Sequence, residues 1–155
     1  MIGRIVRSED FERVLRTPTR ARSTHFALHH LPVEPGRPRA RPGTSAPDLS
    51  TGGVAIPAPP VDDGAPVVRV AAPAGLWLGA VVPKRHARRS VTRSLMKREI
   101  RAAVGARDGL LGGGLWVVRL KAPFDRTRFP SAASDALQQA VRAELRGMLD
   151  AAGRR

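Results

Sequence analysis

Eight cations fall within the eighteen residues from 84 to 101: Lys84, Arg85, Arg88, Arg89, Arg93, Lys97, Arg98 and Arg101, against one acid, Glu99. The chemistry they offer is anion binding, not bond making. Arg outnumbers Lys six to two in this stretch, and a planar guanidinium fork suits bidentate phosphate contact and stacking on bases. Groups that could make or break bonds are sparse. Ser94 and Lys97 match the S-x-x-K spacing of an acylating serine, but no S-D-N or K-T-G follows, and the lysine stands among like charges. His25, His29, His30 and His86 have no accompanying carboxylates to close a zinc set. The chain has no Cys, which removes a thiol nucleophile, a Cys-ligated zinc and a disulfide framework. Gly112–Gly114 is a turn, since no Lys-Ser/Thr follows to make a phosphate loop. The carboxylates are scattered, and no pair suggests acid–base catalysis. No catalytic residue, metal site or cofactor is therefore expected in the chain itself.

The element that must position the cations is a helix, expected over about 86–104. At 100° per residue, Arg93, Ser94, Lys97, Arg98 and Arg101 share one arc of roughly 140°, and Leu95, Met96, Ile100 and Ala103 fall mostly opposite. The apolar side can pack on a sheet while the basic side faces out. A solvated helix mixes signs, because like charges at i,i+4 repel by a few tenths of a kcal/mol each. Arg85, Arg89, Arg93, Lys97 and Arg101 instead form an unbroken like-charge series, with Glu99 as local relief. An anionic partner removes that repulsion, and a phosphate backbone fits better than a solvated surface or a membrane.

The surrounding chain is consistent with this. It has 155 residues and a net charge of +14, which speaks about partners rather than fold. Nucleic acid is the commonest reason for such a charge in a small chain. The N-terminus lacks the apolar core of a secretory signal, and the longest apolar run, 76–82, is too short for a membrane span of ~20 residues, so a soluble cytoplasmic protein is expected. Residues 32–75 hold 10 of the 14 prolines, six glycines and balanced charges. They are expected to be a disordered or loosely looped insert in a single domain spanning 1–155, with 67–72 as a possible short strand. Outside the insert, Ser8 is expected to cap a helix bearing Phe11, Val14 and Leu15 on one face. Strands are expected at 25–31, 76–82 and 115–120, with Trp77 and Trp116 as core. A last helix is expected from Ser131, with Leu137, Val141, Leu145 and Leu149 on one stripe. The order α-β-β-α-β-α gives an α+β or α/β sandwich with a small sheet.

These residues also carry a family resemblance. Lys84 and Arg85, followed by Val91, Arg93, Lys97, Arg98 and Arg101 in SVTRSLMKREIR, resemble the RNA-binding signature of the bacterial ribonuclease P protein component. SEDFERVL at 8–15 resembles that family's first helix, HFALHH at 25–30 its first strand and WVVRLK at 116–121 its last. The sequence departs from the pattern at Ser94 (Asn in the family), at Leu95 (Arg), at Leu15 and His29 (aromatic positions), and in the length of the insert.

The resemblance implies an α+β fold like ribosomal S5 domain 2, a small mixed sheet sandwiched by helices with a left-handed βαβ crossover. It implies a non-catalytic subunit of an endoribonuclease whose active site, with its magnesium ions, belongs to a partner RNA. The partners implied are that catalytic RNA and the 5′ leader of precursor tRNA, with no membrane and no small-molecule substrate. Lys84, Arg85, Arg88, Arg89, Arg93, Ser94, Lys97, Arg98 and Arg101 would bind RNA. Phe11, Leu15, Phe26 and His29 would line a cleft for the single-stranded leader, where apolar or aromatic platforms beside cations are the fitting chemistry. The other reading is a ribosomal or other structural basic RNA-binding protein without a processing role.

Overall fold

In the computed structural model, which describes residues 1–36 and 73–154, the chain runs β1 (Ile2–Arg4), α1 (Ser8–Leu15), β2 (Thr19–Arg22), β3 (Phe26–Leu31), β4 (Leu76–Val81), α2 (Ser90–Gly105), β5 (Gly114–Leu120) and α3 (Asp135–Gly153). The expected strand at 67–72 lies outside the described residues, as does most of the Pro-rich segment. The six expected elements are all present, in the expected order, and two short strands join them. The strands form one mixed sheet in the order β1-β4-β5-β3-β2. β1, β4 and β5 run parallel, while β3 is antiparallel to both β5 and β2. α2 connects the parallel neighbours β4 and β5, as a parallel pair requires.

Alternation along the strands sends side chains to two cores. Phe26, Leu28, Leu76, Leu78, Trp116, Val118 and Leu120 face the buried stripes of α2 and α3. The α2 stripe is Leu95, Met96, Ile100 and Val104, and that of α3 includes Leu137, Val141, Leu145 and Leu149. On the other face Leu115 and Val117 pack with Ile5 and with Val14 of α1. The sheet is thus sandwiched, with α1 on one face and α2 and α3 on the other.

Three helix starts differ from expectation. α1 is capped at Arg7, in extended conformation and with no side-chain cap, one residue before Ser8. α2 begins at Ser90 rather than 86, because the Pro83 carbonyl accepts from the amides of His86 and Ala87 and turns the chain before the helix. α3 begins after Ser134 rather than Ser131: the Ser134 hydroxyl accepts from the amide of Leu137 at 3.2 Å, three residues on, which is the geometry of an N-cap. Gly114, at φ 124°, starts β5 in a conformation that favours glycine, pressed against the backbone of Leu31 and Pro32.

Candidate nucleic-acid interface

α2 presents the cations as its helical period demands. Ser94, Lys97, Arg98 and Arg101 are exposed, and Leu95, Met96, Ile100 and Val104 are buried. Lys84, Arg85, Arg88 and Arg89 are also exposed, on the turn leading into the helix. Because Arg85 and Arg89 precede the helix, the like-charge series on helical geometry is shorter than expected, being Arg93, Lys97 and Arg101.

Arg93 has a different task from its neighbours. It is half-buried, and its guanidinium donates to the carbonyls of Ala87 at 2.9 Å and Arg88 at 2.7 Å. It fastens the cationic turn at 84–89 to the first turn of α2. Arg89 donates to the Pro130 carbonyl at 3.3 Å and Thr92 to the Ala132 carbonyl at 2.6 Å, so the β5–α3 loop is stitched to the same helix end.

Glu99, read from the sequence as local relief of repulsion, does more. It is 2% exposed, the one acid of the basic segment, and it points away from the cationic face. It accepts from Arg142 at 2.6 Å and from Gln138 at 2.7 Å, both on α3. Burial pushes its carboxyl up, but those hydrogen bonds and the charges of Arg142 and Arg98 outweigh this and hold it below its ordinary value. The pattern of α2 alone gives no sign of this role, since the partners lie about 40 residues away in the chain.

The edge of β4 beyond the end of β1 opens into a groove of about 690 Å³. Arg4 and Val6 line one end, Phe11 of α1 and Gly79 and Ala80 of β4 its floor, and Lys97, Arg98 and Arg101 of α2 its other wall. The Phe11 ring lies on Gly79 so closely that a Cβ there would fall 2.3 Å from ring carbon Cε1. Glycine at 79 is what lets an aromatic plane rest on the strand at this edge. Arg4 and Gly79 were not legible as groove residues, because β1 is three residues long and only its pairing with β4 brings Arg4 there.

The four residues expected in one cleft are not all brought together. Phe11 and Leu15 stand on the α1 side, half-buried against the second core. His29 also faces α1, but it is 8% exposed, and its Nδ1 donates to the Thr17 carbonyl at 3.0 Å, tying β3 to the end of α1. Phe26 is a correction: it is fully buried beneath α2 and α3, on the opposite sheet face, so it cannot line a cleft beside α1. The sequence offered two aromatic candidates of equal appearance, and strand register separates them.

The histidines do not gather either. His25 lies in the turn before β3, where its Nδ1 donates to Glu144 at 2.8 Å and its ring stacks on Phe124 at 3.9 Å. His30 stacks on Trp116 at 3.9 Å and donates from Nε2 to the Gly113 carbonyl at 3.1 Å. Burial lowers its pKa, the Gly113 bond opposes this, and the nearby Arg20 charge adds to the lowering. Among the described residues no three His, Asp or Glu side chains form a group that could hold a metal ion, and no helix is long and apolar enough to cross a membrane.

These features define a small α+β protein with a cation-rich helix face and an adjoining groove that holds an aromatic ring. A family model described as Ribonuclease P matches residues 3–144. The chain belongs to the ribonuclease P family. It is similar to the ribonuclease P protein component of Burkholderia pseudomallei (strain 1106a), 43% identical over 77 residues, which are 50% of this chain and 57% of that protein. It is 39% identical over 77 residues, again 50% of this chain, to the ribonuclease P protein components of Paraburkholderia xenovorans (strain LB400) and Ralstonia pickettii (strain 12J), covering 55% and 54% of their lengths. The matched stretch spans little more than half of each relative.

Proposed function

We propose that this chain is the protein subunit of a ribonuclease P ribonucleoprotein, acting in the cytoplasm on precursor tRNA. The exposed face of Ser94, Lys97, Arg98 and Arg101, continuous with a groove floored by Phe11, is the observation that carries the reading. Bond cleavage belongs to the RNA partner and its magnesium ions; the protein contributes charge and shape. The cations of α2 neutralise phosphates on the catalytic RNA, releasing counterions and lowering the magnesium needed to fold and hold the complex. The groove takes the single-stranded 5′ leader, with Phe11 as a stacking plane and Arg4, Lys97, Arg98 and Arg101 along the backbone.

The test is cleavage of precursor tRNA by the host's ribonuclease P RNA at low magnesium, with and without this protein. Cleavage at the mature 5′ end that depends on the protein supports the subunit reading. Tight RNA binding with no stimulation in the same buffer would replace it with a structural RNA-binding role.

A further inference from the structure

The basic segment has a second end, and a second aromatic surface lies against it. Two adjoining pockets, of about 240 and 540 Å³, share His86, Arg88, Phe124 and Arg126. Together they make a trough between the turn before α2 and the β5–α3 loop. Arg85 and Arg89 extend its cationic rim. Its lining shares no residue with the groove at the β4 edge. The outermost cations of the two linings, Arg89 and Arg101, are twelve residues apart, about 18 Å at the helical rise of 1.5 Å per residue, while the linings come nearest at Met96 and Lys97, whose side chains leave α2 on its buried and exposed sides.

The trough is built rather than incidental. Its floor is a ring cluster: Phe124 stacks on His25 with the planes 13° apart, and Phe129 meets Phe124 edge-on at 5.9 Å. Glu144 of α3 fixes the cluster from behind. It accepts from the His25 ring and backbone and from the Ser23 hydroxyl at 2.6 Å. The rim is fixed by the bonds of Arg89 to Pro130 and Thr92 to Ala132. Asp125 is the one acid among the described lining residues; it is exposed, and its carboxylate accepts from Thr127 at both N and Oγ1. Four guanidinium groups, Arg85, Arg88, Arg89 and Arg126, therefore line the trough against a single carboxylate, Asp125, which is held by Thr127.

We infer that this trough is a second RNA site, holding an unpaired segment of the catalytic RNA with a base against the Phe124 cluster and phosphates on Arg88 and Arg126. The inference rests on the subunit reading and deepens it: the RNA subunit is met at the N-terminal end of the basic segment as well as along α2, and the leader where the C-terminal end lines the groove. Aromatic planes beside arginines are the chemistry of single-strand binding, since a duplex offers no base face to stack on. The assignment to the RNA subunit rather than to the leader follows from the separate lining of the two sites.

The test uses the full chain and the host's ribonuclease P RNA, with binding measured across a salt series in the absence of precursor tRNA. Arg126→Ala, at an exposed position, should flatten the log–log salt slope by about 0.7–0.9 for one lost phosphate contact. Phe124→Leu keeps apolar volume but removes the aromatic plane, and should weaken binding about fivefold or more. A thermal melt shows whether Phe124→Leu still folds; Arg126→Ala decides the matter if it does not. A photo-cross-linker placed at position 126 should label an unpaired segment of the RNA subunit. Both variants should keep the normal dependence of substrate affinity on leader length. Unchanged RNA binding in Arg126→Ala, together with no cross-link, overturns the site while leaving the subunit reading intact. Lost leader-length dependence with unchanged binding to the RNA subunit overturns the assignment of the strand. If the wild-type chain neither binds the RNA nor stimulates cleavage, the subunit reading fails first and takes this inference with it.

Discussion

At the scale of residues, cations that look equivalent in the sequence divide into two kinds. Lys97 is exposed on the open face of α2, whereas Arg93 is half-buried and bonded to the carbonyls of Ala87 and Arg88. Lys97→Ala should flatten the salt dependence of RNA binding by about 0.7–0.9 in log–log slope, with the melting temperature unchanged. Arg93→Ala should lower stability as well, by about 1 kcal/mol, because it removes two hydrogen bonds that hold the turn before the helix. Paired salt-titration and thermal-melt measurements distinguish them; equal melting temperatures would show that Arg93 has no structural task. The exposed face itself was legible, because 3.6-residue periodicity sorts Leu95, Met96 and Ile100 from Ser94, Lys97, Arg98 and Arg101 without any tertiary information. What was not legible was the partner of each side chain. Phe26 and Phe11 both read as platforms, and only the pairing of β3 with β5 shows that Phe26 turns toward α2 and α3.

At the scale of elements, one acid within a basic helix fixes how α2 docks. Glu99 joins α2 to Gln138 and Arg142 of α3, and Glu144 joins α3 to the turn before β3. Glu99→Ala should cost about 2 kcal/mol, from its lost hydrogen bonds and the displaced Gln138 and Arg142 partners. It should leave the salt slope of RNA binding intact, since no exposed cation is removed. A Glu99→Ala melting temperature equal to wild type would show that the α2–α3 contact does not depend on it. The pH dependence has a definite sign. Burial raises the Glu99 and Glu144 carboxyls, but their hydrogen bonds and facing charges prevail and both lie below their ordinary values. Their stabilisation is therefore present above the unfolded carboxylate pKa of about 4.3 and is lost as the pH falls below it. His30 acts earlier. Its folded pKa is depressed, mainly by burial against Trp116, so its contribution is full above the unfolded value of about 6.5 and declines as the pH falls below that. Thermal melts should show a shallow decline beginning near pH 6.5, absent in His30→Gln, and a steeper one near pH 4. Element types were legible where the apolar pattern is strong, as in 76–81 and 114–120. β1 and β2 were missed because three- and four-residue edge strands such as Thr-Arg-Ala-Arg bury too little to leave an alternating pattern.

At the scale of the whole molecule, the question is how much of the chain the RNA-facing architecture needs. The described sheet, both described cores and the described lining residues of the groove and trough come from 1–36 and 73–154. The charge argument points the same way. Residues 37–72 carry Arg37, Arg39, Arg41 and Arg69 against Asp48, Asp62 and Asp63, a net of +1, so +13 of the chain's +14 belongs to the rest. The ends of the intervening segment are held: the Gly36 amide donates to both carboxylate oxygens of the buried Asp10 at 3.1 and 3.2 Å, and the returning chain passes beside Gly113 at Pro73. Retaining Gly36 and Pro73 and replacing 37–72 with a flexible Gly/Ser linker should therefore leave the fold in place. Shortening a loop changes closure entropy only slowly, by about 0.6 kcal/mol per halving of its length, so the melting temperature should move by a few degrees at most. RNA affinity and its salt slope should match those of the full chain, because the cations that set the slope all remain. Collapse of the melting transition would show that 37–72 supplies part of a core. A retained transition with a flattened salt slope would instead place phosphate contacts on Arg37, Arg39, Arg41 or Arg69, and extend the RNA-facing surface beyond α2.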